Sequence, residues 1–209
     1  GIRPAAIANL HREIAFALGV CEAIVIEYSD GTVALTLKDY DSPVERTWKV
    51  GDYYDVGGKK GVVFWVDETG KHGKIVSLDQ AELQWCTDDE YKKGLTGIAV
   101  DERDGMKNLQ SIMKISDWRN MYPAFSWSAS HGGDWYLPSI GELKEMKLKL
   151  DSVNACLFYM KKRVINNYYR YWSSTENTKW SAKSSDGFSS LGISLRRDKF
   201  IYVRAVSAF

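Results

Sequence analysis

The stretch GDWYLPSIGEL, residues 133–143, combines the end of a strand with the start of a helix. Pro138 favours extended backbone before it and stops the strand that contains Trp135. Ser139 can then cap a helix, because its hydroxyl accepts a hydrogen bond from the N–H of Glu142 while the Glu142 carboxylate reaches back to the Ser139 N–H. We expect Trp135, like Trp172 later in the chain, to brace the core rather than to contact a ligand.

Groups of strands precede and follow two helices. One amphipathic helix begins at Ser139 and another at Asp104, where an aspartate precedes apolar residues at helical spacing. The predicted strands are 61–66 and 74–78 as a hairpin, and later 168–174, 180–184, 188–193 and 200–206. This order predicts an α+β domain with a mostly antiparallel sheet and two flanking helices.

The N-terminal part of the chain has a different pattern. Residues 5–19 carry apolar side chains at helical spacing, and two short strands, 23–28 and 32–37, flank a turn with the sequence SDG. We therefore divide the chain into an N-terminal helix-plus-hairpin segment, residues 1–47, and a larger domain, residues 48–209.

Composition excludes several classes of protein. The chain has 209 residues with 28 Lys and Arg against 27 Asp and Glu, a formal net charge of +1. A near-neutral chain gives no indication of nucleic-acid binding, and no apolar run approaches the ~18 residues that direct membrane insertion needs. The content of 8 Trp and 12 Tyr favours strands and surfaces that contact sugars or proteins.

Three motifs carry a family resemblance. They are the stretch at 133–143, YWSSTE at 171–176 and YVRAV at 202–206. In this order and spacing they resemble the Legionella collagen-like-protein C-terminal domain family and related surface domains of other bacteria, over residues 48–209. The resemblance implies a C-type-lectin-like fold in which the first and last strands pair, two helices flank the sheet and a long loop region presents the ligand surface.

The same resemblance implies a location and a role. Members of the family are mostly adhesins or binding modules on the bacterial cell surface or secreted from it. We therefore expect a non-catalytic recognition module that binds a glycan or a host or bacterial surface protein. One alternative is a pilus or surface-assembly subunit that meets only neighbouring subunits.

An enzyme is the remaining alternative, and the residues argue against it. Oxidases of the formylglycine-generating type, which share this broad fold, use a pair of cysteines near the C-terminal end, and no cysteine follows Cys156 here. Cys21, Cys86 and Cys156 are interpreted as small core residues, with one disulfide and a free thiol as the alternative. The histidines are scattered, so no cofactor and no metal are expected. The acidic runs 87–90 and 101–104 are interpreted as solvated loops or helix starts, with the binding of a hard cation as the alternative.

The candidate ligand surface lies in residues 165–200, which are rich in tyrosine, asparagine and basic side chains. The alternative for its aromatic residues is packing within the sheet. A second candidate is the loop at 122–128, whose aromatic residues are instead expected to cover the core. The residues expected to bind the ligand are Tyr168, Tyr169, Trp180, Lys183, Ser185, Asp186, Phe188, Arg196 and Arg197. Arg204, inside the last apolar segment, is expected to pair with a buried carboxylate, either Glu176 or Glu142.

Overall fold

The structure is a computed structural model that describes residues 24–29, 32–37, 46–94, 97–166, 168–178, 180–185 and 193–209. The chain divides into two compact units, Gly1–Glu45 and Arg46–Phe209, a division two residues from the boundary that we place after residue 47. In the first unit, β1 (Ile24–Ser29) and β2 (Thr32–Leu37) pair as the predicted antiparallel hairpin. The helix predicted for residues 5–19 lies outside the described residues.

The second unit is built from short elements. Its strands are β3 (Tyr53–Val56), β4 (Lys59–Val66), β5 (Gly73–Val76), β6 (Ala81–Leu83), β7 (Trp135–Tyr136), β8 (Tyr171–Thr178), β9 (Ser181–Ser185), β10 (Ile193–Arg196), β11 (Ile201–Val203) and β12 (Val206–Ala208). Its described helices are α1 (Asp88–Lys93), α2 (Gly105–Ile112), α3 (Trp118–Met121), α4 (Pro123–Ala129), α5 (Ile140–Leu148) and α6 (Leu150–Tyr159).

The strands of this unit form two sheets. The antiparallel sheet has the order β3-β4-β5-β12-β7, and the mixed sheet has the order β10-β9-β8-β11-β6 with β8 and β11 parallel. The α+β class is confirmed, and the two predicted helices are α2 and α5. The prediction of one sheet with two helices is too simple, because short connections in the described residues carry further helical turns.

The last segment of the chain, predicted as one strand over 200–206, is two strands in different sheets. β11 pairs with β6 and β8 in the mixed sheet, whereas β12 pairs with β5 and β7 in the antiparallel sheet. The chain changes sheet at Ala205, whose N–H donates to the Ser77 hydroxyl (3.2 Å) and whose carbonyl accepts from the Ser77 N–H (2.9 Å).

The pairing of first and last strands implied by the resemblance is not found in the described part of this unit. β4 and β5 separate β3 from β12 in the sheet order. The chain end still reaches β3 through its side chain, because the ring of Phe209 lies 4.5 Å from that of Tyr54.

The three motifs of the family resemblance meet in the core. The Ser174 N–H of β8 donates to the Pro138 carbonyl at 2.7 Å, and Val206 of β12 pairs with Tyr136 of β7. Trp135 and Trp172 are both buried, as predicted for core residues. Burial of large aromatic side chains is a major stabilising contribution in a unit of this size.

The segment at 122–128 was predicted as a loop whose aromatic residues cover the core. It is mostly helix α4, so the prediction of a loop is wrong. Tyr122 and Phe125 are nonetheless buried, and both rings meet Trp85 edge to face, at centroid distances of 5.6 and 5.0 Å. The prediction that these rings cover the core is confirmed.

The Glu142 carboxylate joins four parts of the second unit. One oxygen accepts from the Lys74 ammonium of β5 (2.7 Å) and the Tyr136 hydroxyl of β7 (2.8 Å). The other accepts from the N–H groups of Ser139 (2.7 Å) and Gly105 (3.1 Å), the first residue of α2. The predicted capping box is therefore confirmed, and its glutamate also bonds to β5, β7 and α2.

Replacing Glu142 with glutamine is expected to destabilise the fold strongly. The amide cannot accept from all four donors and leaves the partly buried Lys74 ammonium without its counter-charge, at a cost of about 3–5 kcal/mol. Chemical denaturation of the full chain measures the loss. The matched control is Glu145→Gln on the exposed side of α5, expected to change stability by no more than about 0.5 kcal/mol. Equal effects of the two substitutions would contradict the role given to Glu142.

Candidate functional site

The first group of candidate residues meets at one end of the mixed sheet. The indole of Trp180 packs edge to face against Tyr91 of α1, with ring centroids 5.3 Å apart. The guanidinium of Arg196 lies over the same Tyr91 ring, 4.9 Å from its centroid. We call Trp180, Tyr91 and Arg196 the aromatic platform. Trp180 is 40% exposed, so part of its indole is accessible to a ligand.

Local sequence explains how the platform is assembled. Thr87 caps α1 and Gly94 ends it in the left-handed conformation (φ 64°). A Cβ at Gly94 would lie 3.0 Å from the Trp180 indole, so glycine suits both this conformation and the close approach of the ring. On the other side, Arg196 of β10 lies opposite Ser181 of β9, the residue after Trp180.

Charge on the platform is balanced. The Arg196 guanidinium donates to both oxygens of Asp198, at 3.2 Å from Nε and 2.7 Å from NH2. A ring face beside a paired guanidinium and carboxylate can stack on the apolar face of a sugar while hydrogen bonding to its hydroxyls. This arrangement suits an uncharged ligand better than a strongly charged one.

Lys183 lies elsewhere on the same strand pair. Its ammonium bonds to the Glu102 carboxylate, and this contact holds the pKa of Glu102 below its ordinary value. Glu102 lines a shallow depression of about 380 Å³ together with Val100, Asp101 and Lys107. The structure therefore places Lys183 beside this depression, in an ion pair.

A second group of candidate residues forms a tyrosine cluster, which consists of Tyr168, Tyr169, Tyr171 and Tyr202. Tyr169 stacks on Tyr202 with centroids 4.5 Å apart and ring planes at 20°, and Tyr171 lies 5.7 Å from Tyr202. Tyr168 is 77% exposed beside them in the sequence. Tyr169 packs against the sheet through Tyr202 and is also partly exposed.

Arg197 was predicted to bind the ligand, and its position is at odds with that prediction. Its side chain is fully buried, donates to Glu176 at 3.0 Å and lies over the Trp85 ring at 5.1 Å. Successive side chains of extended backbone point to opposite faces, so the exposed Arg196 is followed by Arg197 on the buried side. Ser185 is half-buried at the end of β9, and Asp186 and Phe188 lie outside the described residues.

The expectation that Arg204 pairs with Glu176 or Glu142 is wrong. Those carboxylates are taken by Arg197 and Lys74, respectively. The buried Arg204 guanidinium instead donates to the Ser77 carbonyl (2.7 Å), to Gln80 Oε1 (3.1 Å) and to the Arg163 carbonyl. Because burial disfavours the charged form, the pKa of Arg204 falls to about 10.

No metal-binding group of three His, Cys, Asp or Glu occurs in the part of the chain that the structure describes. The acidic run at 87–90 is the start of α1, and the run at 101–104 leads into α2, as interpreted from the sequence. His131 is half-buried between hydrogen-bond partners, with its ring nitrogens 3.1 Å from the Trp127 carbonyl and 2.9 Å from Asp79. Among the described helices, none has the length and apolar character needed to span a membrane.

Three residues of these two groups were not predicted to bind a ligand. Tyr91 follows the acidic run at 87–90, and Tyr171 and Tyr202 belong to motifs of the family resemblance. Each joins its group through a contact with a residue far away in the chain. No local pattern in the sequence signals such contacts.

The fold of this chain is similar to that of a solved protein structure. No protein-family model matches the chain, and no curated protein matches it. A fimbrial protein from Bacteroides ovatus ATCC 8483 is similar in structure, with a TM-score of 0.58 and 19% sequence identity over 77% of this chain. This chain spans about half of that protein, covering 49% of it. At this identity the likeness shows a shared fold.

The two described cysteines are expected to be unreactive in the folded chain. Cys86 and Cys156 are free and buried, and burial raises their thiol pKa values to about 12 and about 11, respectively. At about pH 8 both therefore remain protonated and covered. In a Cys21→Ser variant, Ellman's reagent should label neither thiol within minutes under native conditions and both in guanidinium chloride. Rapid labelling under native conditions would contradict the burial of these thiols. It would favour the enzyme alternative, because an accessible thiolate can act as a nucleophile.

Proposed function

We propose that this chain is a non-catalytic recognition module of a bacterial surface or fimbrial protein, and that it binds its ligand through the aromatic platform. The observation that carries the proposal is the partly exposed Trp180 indole held between Gly94 and Tyr91, with Arg196 and Asp198 beside it. Such rigid aromatic surfaces with adjacent hydrogen-bonding groups are typical of sugar and protein recognition.

Two similarities support the surface or fimbrial setting. The fold is similar to that of the Bacteroides ovatus fimbrial protein. The three motifs, which meet in the core, resemble those of the Legionella collagen-like-protein C-terminal domain family. We therefore propose a variant of the C-type-lectin-like fold, located at the bacterial cell surface or secreted.

The charge balance of the platform indicates the kind of ligand. Arg196, the cation of the platform, is paired with Asp198. A charged ligand would have to displace this partner, whereas a neutral sugar can use both members of the pair as donors and acceptors. The platform therefore favours uncharged glycans over acidic ones.

The second candidate is an assembly subunit that contacts only other subunits. Three large apolar or aromatic side chains near α5 and α6 support it: Leu148, Phe158 and Tyr159 are each more than 60% exposed. Exposed apolar side chains at this density are typical of protein-contacting surfaces when they form one patch. Concentration-dependent self-association without any glycan binding would favour this candidate.

The test of the recognition proposal is a screen of neutral glycans followed by titration of the best ligand. Trp180→Ala is expected to weaken binding about fivefold to tenfold, because one stacking contact is lost. The matched control is Trp65→Ala, since Trp65 is a 37% exposed tryptophan on β4 of the other sheet. Equal losses in the two variants, or no neutral glycan bound by the parent chain, would overturn the assignment of the platform.

A further inference from the structure

Four cations lie close along the chain to residues of the tyrosine cluster. Lys161, Lys162, Arg163 and Arg170 are all exposed. Within the described residues, none of the four forms a salt bridge, whereas Arg196 of the platform does. In a chain of net charge +1, this is a local excess of positive charge. We call these four residues together with the tyrosine cluster the basic surface.

The contacts within the basic surface show that it is continuous. The Arg163 guanidinium lies 5.7 Å from the centroid of the Tyr202 ring, which stacks on Tyr169. The Tyr202 N–H donates to the Arg170 carbonyl at 3.1 Å. Lys161 and Lys162 immediately precede Arg163, so they lie within two residues of this contact.

Buried charge reinforces the potential of this surface. Arg204 is 1% exposed and donates to the carbonyl of Arg163, and its described partners are uncharged oxygens. Because no carboxylate bonds to Arg204 among the described residues, its positive charge adds to the potential of the exposed cations of the basic surface. Two carboxylates lie close to this surface: Glu82, opposite Tyr202 on β6, and Asp79, whose charge acts on Arg204. The four exposed cations and Arg204 outnumber these two.

Lys161 is one of two described residues other than glycine that have a positive φ angle. It occupies the left-handed position that ends α6 (φ 54°), where the N–H of Lys162 donates to Leu157 and that of Lys161 donates to Phe158. Glycine is the favoured residue at this position, because a side chain there strains the backbone. Replacing Lys161 with glycine therefore relieves backbone strain and removes one charge of the basic surface in a single step.

We propose that the basic surface binds an acidic polysaccharide, with its cations contacting sulfate or carboxylate groups and Tyr168 stacking on a sugar ring. Charge complementarity identifies an anionic polymer as the ligand, and the exposed tyrosine ring suits a sugar. The pI of about 7.8 argues against nucleic acid, whose binding domains are generally above about 9. This inference extends the proposed recognition function and rests on it, but it uses residues separate from the aromatic platform.

The experiment titrates the full chain with heparin, which carries sulfate, and with polygalacturonate, which carries only carboxylate, using neutral dextran as the blank. Binding of at least one acidic polymer is expected, with a steep loss between about 50 and 200 mM NaCl. The polymer that binds more tightly identifies the anionic group. The double variant Lys162→Gln/Arg163→Gln is expected to weaken binding roughly tenfold.

The matched control removes the same charges elsewhere. Lys114→Gln/Arg119→Gln takes away one exposed lysine and one arginine that lies over a neighbouring aromatic ring, here Trp118 at 4.6 Å. It is expected to change binding less than twofold. An equal loss in both double variants would overturn the proposal, because binding would then follow net charge alone.

Lys161→Gly is the second test variant. Because glycine relieves the strained backbone, the substitution is expected to raise the melting temperature while weakening binding severalfold. Weaker binding in a more stable protein cannot be attributed to unfolding. A more stable variant with unchanged binding would contradict the role given to Lys161.

The remaining outcomes separate this inference from other ligands and from the platform. Tighter binding of duplex DNA, or of vesicles of phosphatidylcholine and phosphatidylserine, than of either acidic polysaccharide would overturn it.

Trp180→Ala should leave binding of the acidic polymer unchanged. If neutral glycans fail to bind but the acidic polymer does so through the basic surface, the platform assignment fails and this inference stands. If no acidic polymer binds, this inference fails whatever the neutral glycans do.

Discussion

The Glu142 carboxylate is the interaction on which the arrangement of the second unit depends. It is buried and accepts four hydrogen bonds, from β5, β7, the start of α2 and its own helix cap. A buried carboxylate is tolerated only when its lone pairs are satisfied, so the four donors must all be in place at once. This requirement fixes the antiparallel sheet and two helices relative to one another.

The chain end links that arrangement to the mixed sheet. β11 and β12 lie in different sheets, and Ala205 between them is held by two hydrogen bonds to Ser77. The neighbouring Arg204 crosses the same region and is satisfied by uncharged oxygens alone. These bonds are buried in the second unit. Exposed aromatic and charged side chains lie instead at the ends of β9 and β10 and in the segment after α6, where they do not disturb the packing of the core.

The two surfaces at this periphery differ in how their charges are compensated. On the aromatic platform, Arg196 has Asp198 as its partner, so the tryptophan and tyrosine rings dominate its chemistry. On the basic surface, Arg163 lies over a tyrosine ring instead of a carboxylate, and a buried guanidinium lies behind it. The same residue types therefore suit different ligands, because ion pairing removes the long-range attraction of a charge and leaves only its hydrogen-bonding groups.

Sequence alone determined the local features whose causes lie within a few residues. The Ser139–Glu142 capping box, the α+β order of elements and the burial of Trp135 and Trp172 follow from hydrogen-bonding capacity and apolar pattern. Only the tertiary structure decided which charges are paired: Arg196 is exposed and its neighbour Arg197 is buried against Glu176. It also divided the last predicted strand between two sheets and brought Tyr91 to Trp180. The physical reason is that capping and burial depend on neighbours in sequence, whereas ion pairs and ring contacts depend on groups that folding brings together from distant parts of the chain.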